Sequence, residues 1–330
     1  MPVTENHRNV PRIAVIGAGI SGLTCARLLR DQGLRVTVLD KSGDIGGRLA
    51  TRRTAEGSWN HGAPSLGARG AAFADFLVDL EAAGSVRRCA SGEGQEALSW
   101  QGWPDMRETL RPLQTDLEVI FRAEVIRIVR QDECWLAETA SGDTHGPFES
   151  LLLTLPAPQT HALLARSDIA APWQPDDVVM SPCWSLLLGF ETAVPELRRV
   201  GSGHVLGVVV PGAAVSAPDA GTFAETWVVH ATDGWSLAHL ECSREAVIPL
   251  LLSDLNQQLA EISLPALQLP PACASAHRWR YARTLRPLGS SHIWLEAQRL
   301  GIGGDWCLGA RAEDAFVSGR SLAQEVLARS

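Results

Sequence analysis

Gly17, Gly19 and Gly22 punctuate the stretch GAGISG. It lies between an apolar, β-branched run (RIAVI, 12–16) and a segment in which Leu23, Ala26 and Leu29 follow helical spacing. Glycines at these intervals suit one kind of chemistry. The first permits a tight turn, the second lets backbone approach a pyrophosphate with no Cβ in the way, and the third lets the helix pack closely on the strand. The backbone of Ala18, Ile20 and Ser21 then lies beside the phosphates, and the helix N-terminus offers N–H groups and its positive dipole end. Asp40 ends the next apolar run (RVTVLD, 35–40), where a carboxylate accepts the hydroxyls of an adenosine ribose, and Lys41 follows it. A glycine-rich turn in an ordinary α/β protein is the alternative.

The residues after Asp40 point to FAD over NAD. DKSGDIGGRLATRR carries a glycine pair, Gly46 and Gly47, followed by Arg48. A second phosphate-facing loop with a fixed cation suits a flavin dinucleotide. Near the other end, GIGGDWCLGARAEDAFVSG (301–319) reads as strand, turn and helix. Gly304 and Asp305 are expected to meet the ribityl and phosphate groups. The helix N-terminus near Glu313–Ala315 is expected to aim its dipole at the flavin O2 edge, where negative charge develops on reduction. A plain amphipathic helix is the alternative for this tail.

These motifs need elements to hold them. The first strand, helix and second strand make a βαβ unit. Helices are expected over 71–84, 107–114 and 243–262, with Ser243 as N-cap of the last and Pro249 late in its first turn or bending it. Two short strands are expected within 119–139, one within 146–159, and further strands over 184–191, 225–232 and 277–283. The chain has 330 residues, 45% hydrophobic and 20% charged, enough for two domains and a large core. A net charge of −8 argues against nucleic acid and anionic membrane as partners. No apolar run approaches a bilayer span, and the opening residues lack the apolar core of a signal peptide. Cys25, Cys89, Cys134, Cys183, Cys242, Cys273 and Cys307 are scattered without a CxxC, and the histidines lack metal-ligand spacing. The expectation is reduced thiols, no metal and a cytoplasmic location.

The arrangement GAGISG, LDKSGDIGGRLATRR and GDWCLGARAEDAFVSG resembles the flavin amine oxidase superfamily, and within it the renalase branch, especially bacterial renalases. TLPAPQ (154–159), ETWVVHATDGWSLAHLECSREAVI (225–248) and AHRWRYAR (276–283) carry the likeness along the chain. The resemblance implies an α/β fold: a Rossmann-type FAD-binding domain plus a mixed-sheet substrate domain, with p-hydroxybenzoate hydroxylase-like topology. The FAD domain is placed at 1–70, 106–160 and 288–330, and the substrate domain at 71–105 and 161–287. The resemblance also implies non-covalent FAD held by Gly17, Gly19, Gly22, Asp40, Gly47, Arg48, Gly304 and Asp305, with Val125 against the adenine. His61, Gly62 and Ala63 fall at the family's turn beside the flavin ring. The implied activity is oxidation of 1,2- or 1,6-dihydro-NAD(P) by hydride transfer to flavin N5, with O2 as acceptor, giving NAD(P)+ and H2O2.

The expected catalytic and substrate-contacting residues are His230, Trp279, Tyr281 and His61. Hydride transfer asks chiefly that a donor carbon be held at short range, so these residues matter as cavity walls. Trp279 and Tyr281 share one strand face by alternation, and Arg278 and Arg280 fall on the other, solvated one. Each ring has a bland alternative: His230 as a buried neutral imidazole bonded to backbone, Trp279 and Tyr281 as core. Many flavin amine oxidases hold a water at N5 with a lysine; Lys41 is the only lysine here and belongs to the adenosine end. Two stretches depart from bacterial renalases, HGAPSLGARG (61–70) and the apolar 204–222. They motivate a second reading, an FAD oxidase or desaturase of an apolar small molecule. A third is a flavin-binding module without turnover.

Overall fold

The computed structural model describes residues 10–89, 99–212, 223–262 and 271–329. The chain divides into two compact units: Met1–Gly47, Leu110–Val179 and Arg286–Ser330 form one, and Arg48–Thr109 with Met180–Leu285 the other.

The first unit is built on a six-stranded sheet in the order Ile293–Leu295, Leu300–Ile302, Ser150–Leu153, Arg12–Ile16, Arg35–Leu39, Glu118–Ile120. All neighbours are parallel except the edge strand Ile293–Leu295. The near-continuous apolar runs suit strands covered on both faces, and Ile13 to Ile16 are buried. Register decides where chemistry can occur. Ile16 is level with both Leu39 and Leu153, and Leu153 is level with Ile302. The residues that follow, Gly17, Asp40, Thr154 and Gly303, therefore share the carboxyl edge of the sheet, where ligands bind in open α/β folds. Helices Ile20–Asp31 and Ala312–Leu327 cross closely: a Cβ on Gly319 would lie 2.2 Å from the Ser21 carbonyl oxygen. A three-stranded antiparallel sheet, Thr144–Phe148, Cys134–Thr139 and Val125–Gln131, completes this unit. Residues 118–139 thus hold three strands where two are expected, because turns at 121–124 and 132–133 divide the run.

The second unit centres on a four-stranded sheet, Leu206–Pro211, Glu225–Ala231, Val179–Phe190, Cys273–Arg286, in which Glu225–Ala231 is antiparallel to both neighbours. Helix Arg244–Glu261 covers one face. Val247, Leu251, Leu255 and Leu259, at four-residue spacing, pack on Trp184, Leu186, Leu188, Trp227 and Val229. Ser243 caps the helix through Oγ to Ala246 N–H (3.2 Å). Pro249 stands in the second turn, later than expected; its missing N–H falls on the exposed side of the helix.

The unit boundaries differ from those expected by a few residues at 106–109 and 286–287 and by longer stretches in two places. Residues 48–70 lie in the second unit, because the hairpin Arg52–Arg53/Ser58–Trp59 is tied to its sheet. Trp59 Nε1 donates to the Leu188 carbonyl (2.8 Å), and Thr226 Oγ1 donates to that of Ser58 (2.9 Å). Residues 161–179 stay with the first unit, where Trp173 packs between His161 and Trp306 and Ile128 N–H donates to Ser167 Oγ. In the departing stretch 204–222, Val205, Leu206 and Val209 pack into the core under the helix. That accounts for their apolar character; residues 213–222 lie outside the described residues.

Candidate functional site

The three glycines differ in what forbids a side chain. Gly17 has φ +116°, and its Cβ would lie 2.8 Å from Thr154 Oγ1. A Cβ on Gly22 would meet the Gly17 carbonyl oxygen at 1.9 Å, so helix and turn touch there. At Gly19 the protein forbids nothing: the nearest atom to its Cβ would be Gly47 Cα at 4.0 Å. Gly19 is the N-cap of Ile20–Asp31; no side chain caps that end, and no acidic residue stands in the first turn. A helix N-terminus with open space in front of it is a seat for phosphate. Gly47, at φ +54°, stands on the other side of this space. Asp40 is aimed at the same turn, with Oδ2 accepting from Ala18 N–H (2.6 Å) and Oδ1 from Ser42 N–H (2.7 Å). A carboxylate has about four acceptor positions, so this bracing is compatible with ribose hydroxyls. Gly46 N–H donates to the Ala18 carbonyl (3.1 Å), which ties the second glycine pair to the first turn. These residues fit the ADP portion of FAD. Thr154, which sequence reasoning did not assign a role, steadies the turn through Oγ1 to the carbonyl of Ile16 (2.9 Å).

The C-terminal strand–turn–helix is as expected in shape and different in electrostatics. Gly304 has φ +151° and donates its N–H to Ser318 Oγ (2.9 Å), and Asp305 is buried at the start of a short 3₁₀ turn. The helix Ala312–Leu327 carries Glu313 and Asp314 in its first turn, and Asp314 Oδ2 accepts from Arg311 N–H (2.8 Å). The protein's own carboxylates thus answer much of the positive dipole expected to serve the flavin. Ala315 lies four residues before Gly319, on the same face of the helix. Val125 opens its strand, half-buried; Lys41 is exposed beside Asp40.

In the second unit the loop after the glycine pair meets the expected turn. Ala63 N–H donates to the Arg48 carbonyl (2.9 Å), and a Cβ on Gly62 would lie 2.0 Å from that oxygen. Arg48 Nη1 donates to the Ala282 carbonyl (3.1 Å). Asn60 anchors the turn, taking Thr51 Oγ1–H (2.8 Å) and Met106 N–H (3.0 Å) on Oδ1 and giving its own N–H to Gly212 (2.6 Å). His61 follows, buried.

Strand alternation places a polar and aromatic set on the sheet face opposite the long helix. Trp184, Leu186, Trp227 and Val229 point to the helix. Cys183, Ser185 and His230 fall on the other face, with Ser185 level with His230 across the ladder. Two donors reach the backbone carbonyl of His61: Trp279 Nε1 (2.8 Å) and Ser185 Oγ (3.0 Å). The His61 ring lies 4.6 Å from that of His277, edge to face, and 5.1 Å from that of Trp279; His277 and Trp279 are 4.4 Å apart. Burial pushes the pKa of His61 down to about 4. It does the same to His230, to about 4, and to His277, to about 3, with the neighbouring His61 adding in both. All three imidazoles are neutral at pH 7. Burial also pushes the Cys183 thiol up to about 12, so it is no thiolate nucleophile.

Of the residues expected on the substrate side, His61, His230 and Trp279 come together. Tyr281 shares the strand face but stands outside the ring cluster. Arg278, expected to be solvated, is half-buried: its guanidinium lies over Trp184 at 5.5 Å and Nη1 donates to the Leu240 carbonyl. The packed sheet face offers it a ring and an acceptor there, whereas exposed Arg280 pairs with Glu241 (2.7 Å). His277 and Ser185 were missed. Alternation with Trp279 reveals His277; Ser185 has no local signal. Among the described residues no group of three His, Cys, Asp or Glu side chains converges to hold a metal ion, and no helix is long and apolar enough to cross a membrane.

Residues 15–80 match the NAD(P)-binding Rossmann-like domain family. An L-amino-acid oxidase of Siganus canaliculatus is 45% identical over 56 residues, 17% of this chain and 10% of that protein. Renalase of Mus musculus is 27% identical over 308 residues, 82% of this chain and 85% of renalase. The chain is thus similar to renalase over most of its length. A solved putrescine oxidase with putrescine bound shares the fold, with a TM-score of 0.67 at 13% identity, over 97% of this chain and 99% of that one.

Proposed function

We propose that this protein oxidises dihydronicotinamide dinucleotides bearing hydrogen at the unusual ring positions, 1,2- or 1,6-dihydro-NAD(P), in the cytoplasm. The overall reaction takes dihydro-NAD(P), O2 and H+ to NAD(P)+ and H2O2. The observation that carries the reading is the ring cluster of a buried His61 with half-buried His277, Trp279 and the nearby His230, its imidazoles uncharged at neutral pH and its rings set edge to face or tilted. Such a wall suits a planar, neutral hydride donor, and renalase likeness over most of the chain supports the same substrate class. An amine oxidase reading lacks its lysine, since Lys41 is the only one and follows the ribose-binding acid.

We assign the first unit to FAD and the second to substrate. Gly19 and Gly47 border the space for the pyrophosphate, Gly17 and Gly22 hold the turn against the strand and helix, Asp40 takes the adenosine ribose, and Gly304 and Asp305 lie at the sheet edge for the rest of the cofactor. Bound FAD supplies the two-electron acceptor. Trp279 and His277 wall the ring of the substrate and keep water from it. The doubly bonded His61 carbonyl fixes that wall in place, so little ordering is left to the moment of reaction.

The test mixes FAD-loaded protein anaerobically with 1,2- or 1,6-dihydro-NAD(P). Rapid bleaching of the flavin absorbance is expected, with H2O2 formed when air is admitted. A flavin that stays oxidised with both isomers overturns the proposal.

A further inference from the structure

His230 and Ser185 stand opposite one another on adjacent strands, and their side chains form a short relay. His230 Nδ1 is 3.0 Å from Ser185 Oγ, which is itself 3.0 Å from the His61 carbonyl oxygen. A serine hydroxyl has one proton. If that proton points at Nδ1, the contact between Oγ and the carbonyl sets acceptor against acceptor. If it points at the carbonyl while Nδ1 is bare, the contact between Nδ1 and Oγ does the same. Both contacts are hydrogen bonds only when Nδ1–H donates to Oγ and Oγ–H donates to the carbonyl. Trp279 Nε1 occupies the other lone pair of that carbonyl (2.8 Å). Cys183 Sγ, 3.7 Å from Nδ1, has carbonyls of its own at Trp184 and Ala231. Burial keeps the imidazole neutral at pH 7, so its one proton is on Nδ1 and Nε2 is a bare lone pair. Nε2 is buried and makes no hydrogen bond of good geometry among the described residues, and the Gly62 carbonyl is the one further backbone acceptor that acts on the ring.

We infer that Ser185 is a positioning residue that locks His230 in its Nδ1–H tautomer, so that Nε2 selects a ligand presenting an N–H donor and refuses one presenting only acceptors. Resting on the dihydronicotinamide reading, the group it takes is the carboxamide N–H of the nicotinamide ring. The deamidated, nicotinic acid form of the same dinucleotide is refused, because a carboxylate has acceptors only and leaves Nε2 facing lone pairs.

The test joins spectroscopy to kinetics on the FAD-loaded protein. 15N-histidine labelling, with His230→Gln to assign the signals, is expected to show protonated Nδ1 and unprotonated Nε2 at pH 7. Ser185→Ala is expected to move the proton to Nε2, and Ser185→Thr to restore it. In the parent protein kcat/KM for the dihydronicotinamide form should exceed that for the dihydronicotinic acid form by about ten- to hundredfold, a preference that falls toward unity in Ser185→Ala. Should Ser185→Ala not fold, the parent spectrum and the parent amide-to-acid ratio decide. Protonated Nε2 in the parent protein overturns the inference, as does equal use of amide and acid. If neither form reacts, the substrate reading of the previous subsection fails, and the spectrum alone upholds or overturns the tautomer.

Discussion

Gly19→Ala and Gly22→Ala put the same methyl group on two residues three apart, and the structure assigns them opposite consequences. At Gly22 the new carbon lies 1.9 Å from the Gly17 carbonyl oxygen and 2.6 Å from Thr154 Oγ1. The first of these is backbone, so the helix must back away from the strand. Overpacking of this kind costs about 3 kcal/mol, which for a chain of this size lowers Tm by about 4 °C. At Gly19 the backbone is extended (φ −84°, ψ −178°), a conformation alanine adopts freely, and the methyl reaches no protein atom closer than 4.0 Å. The apo protein should lose only about 1 kcal/mol, the preference of an N-cap for glycine over alanine. The methyl instead occupies the space assigned to phosphate. Loss of one charge-assisted hydrogen bond, about 1.5–3 kcal/mol, weakens FAD binding about 10- to 150-fold. Thermal melts of the apo proteins and calorimetric titration with FAD separate the two effects. A Gly19→Ala protein that melts as early as Gly22→Ala, or binds FAD as tightly as the parent, refutes the view that the space at Gly19 is kept for a ligand.

Two further outcomes follow from the second unit. Burial holds His61 and His230 at about 4 and His277 at about 3, against 6.5 for the free side chain, so between these values the unfolded chain binds more protons than the folded one. Stability should be full above pH 6.5 and fall as the pH drops toward 4, by on the order of 1 kcal/mol per histidine per pH unit; urea denaturation from pH 8 to 4.5 reads this slope, and a flat profile contradicts the neutral cluster. Trp279→Phe keeps the ring against His61 and His277 but removes the N–H that reaches the His61 carbonyl; it should cost about 0.5–1.5 kcal/mol in the same assay and raise KM for the dihydronicotinamide, and an unchanged midpoint with unchanged KM shows the bond to be idle.

Sequence and structure meet most closely at the sheet edge of the first unit. Gly17, Gly19, Gly22 and Asp40 are legible because each acts within one βαβ unit, where spacing along the chain is nearly spacing in space. The C-terminal turn is legible for a related reason: Gly304 needs its positive φ, and a glycine there is visible without a fold. The dipole of the last helix was read less well, since the effect of Glu313 and Asp314 on it depends on how the cap folds. That residues 48–70 pack with the second unit is not legible locally, because Trp59 is tied to Leu188, a contact 129 residues distant.

From the order of residues alone follow the dinucleotide turn, the acid that answers it, and the aromatic face of 277–281. All are local in the chain, so propensity and periodicity report them directly. Ser185 is a plain serine inside an apolar strand until the ladder sets it opposite His230 and under the His61 carbonyl. Register, and the burial that keeps three imidazoles neutral, are properties of strands brought together from positions 61, 185, 230 and 277, and long-range pairing leaves no trace in the short windows where a single sequence is read.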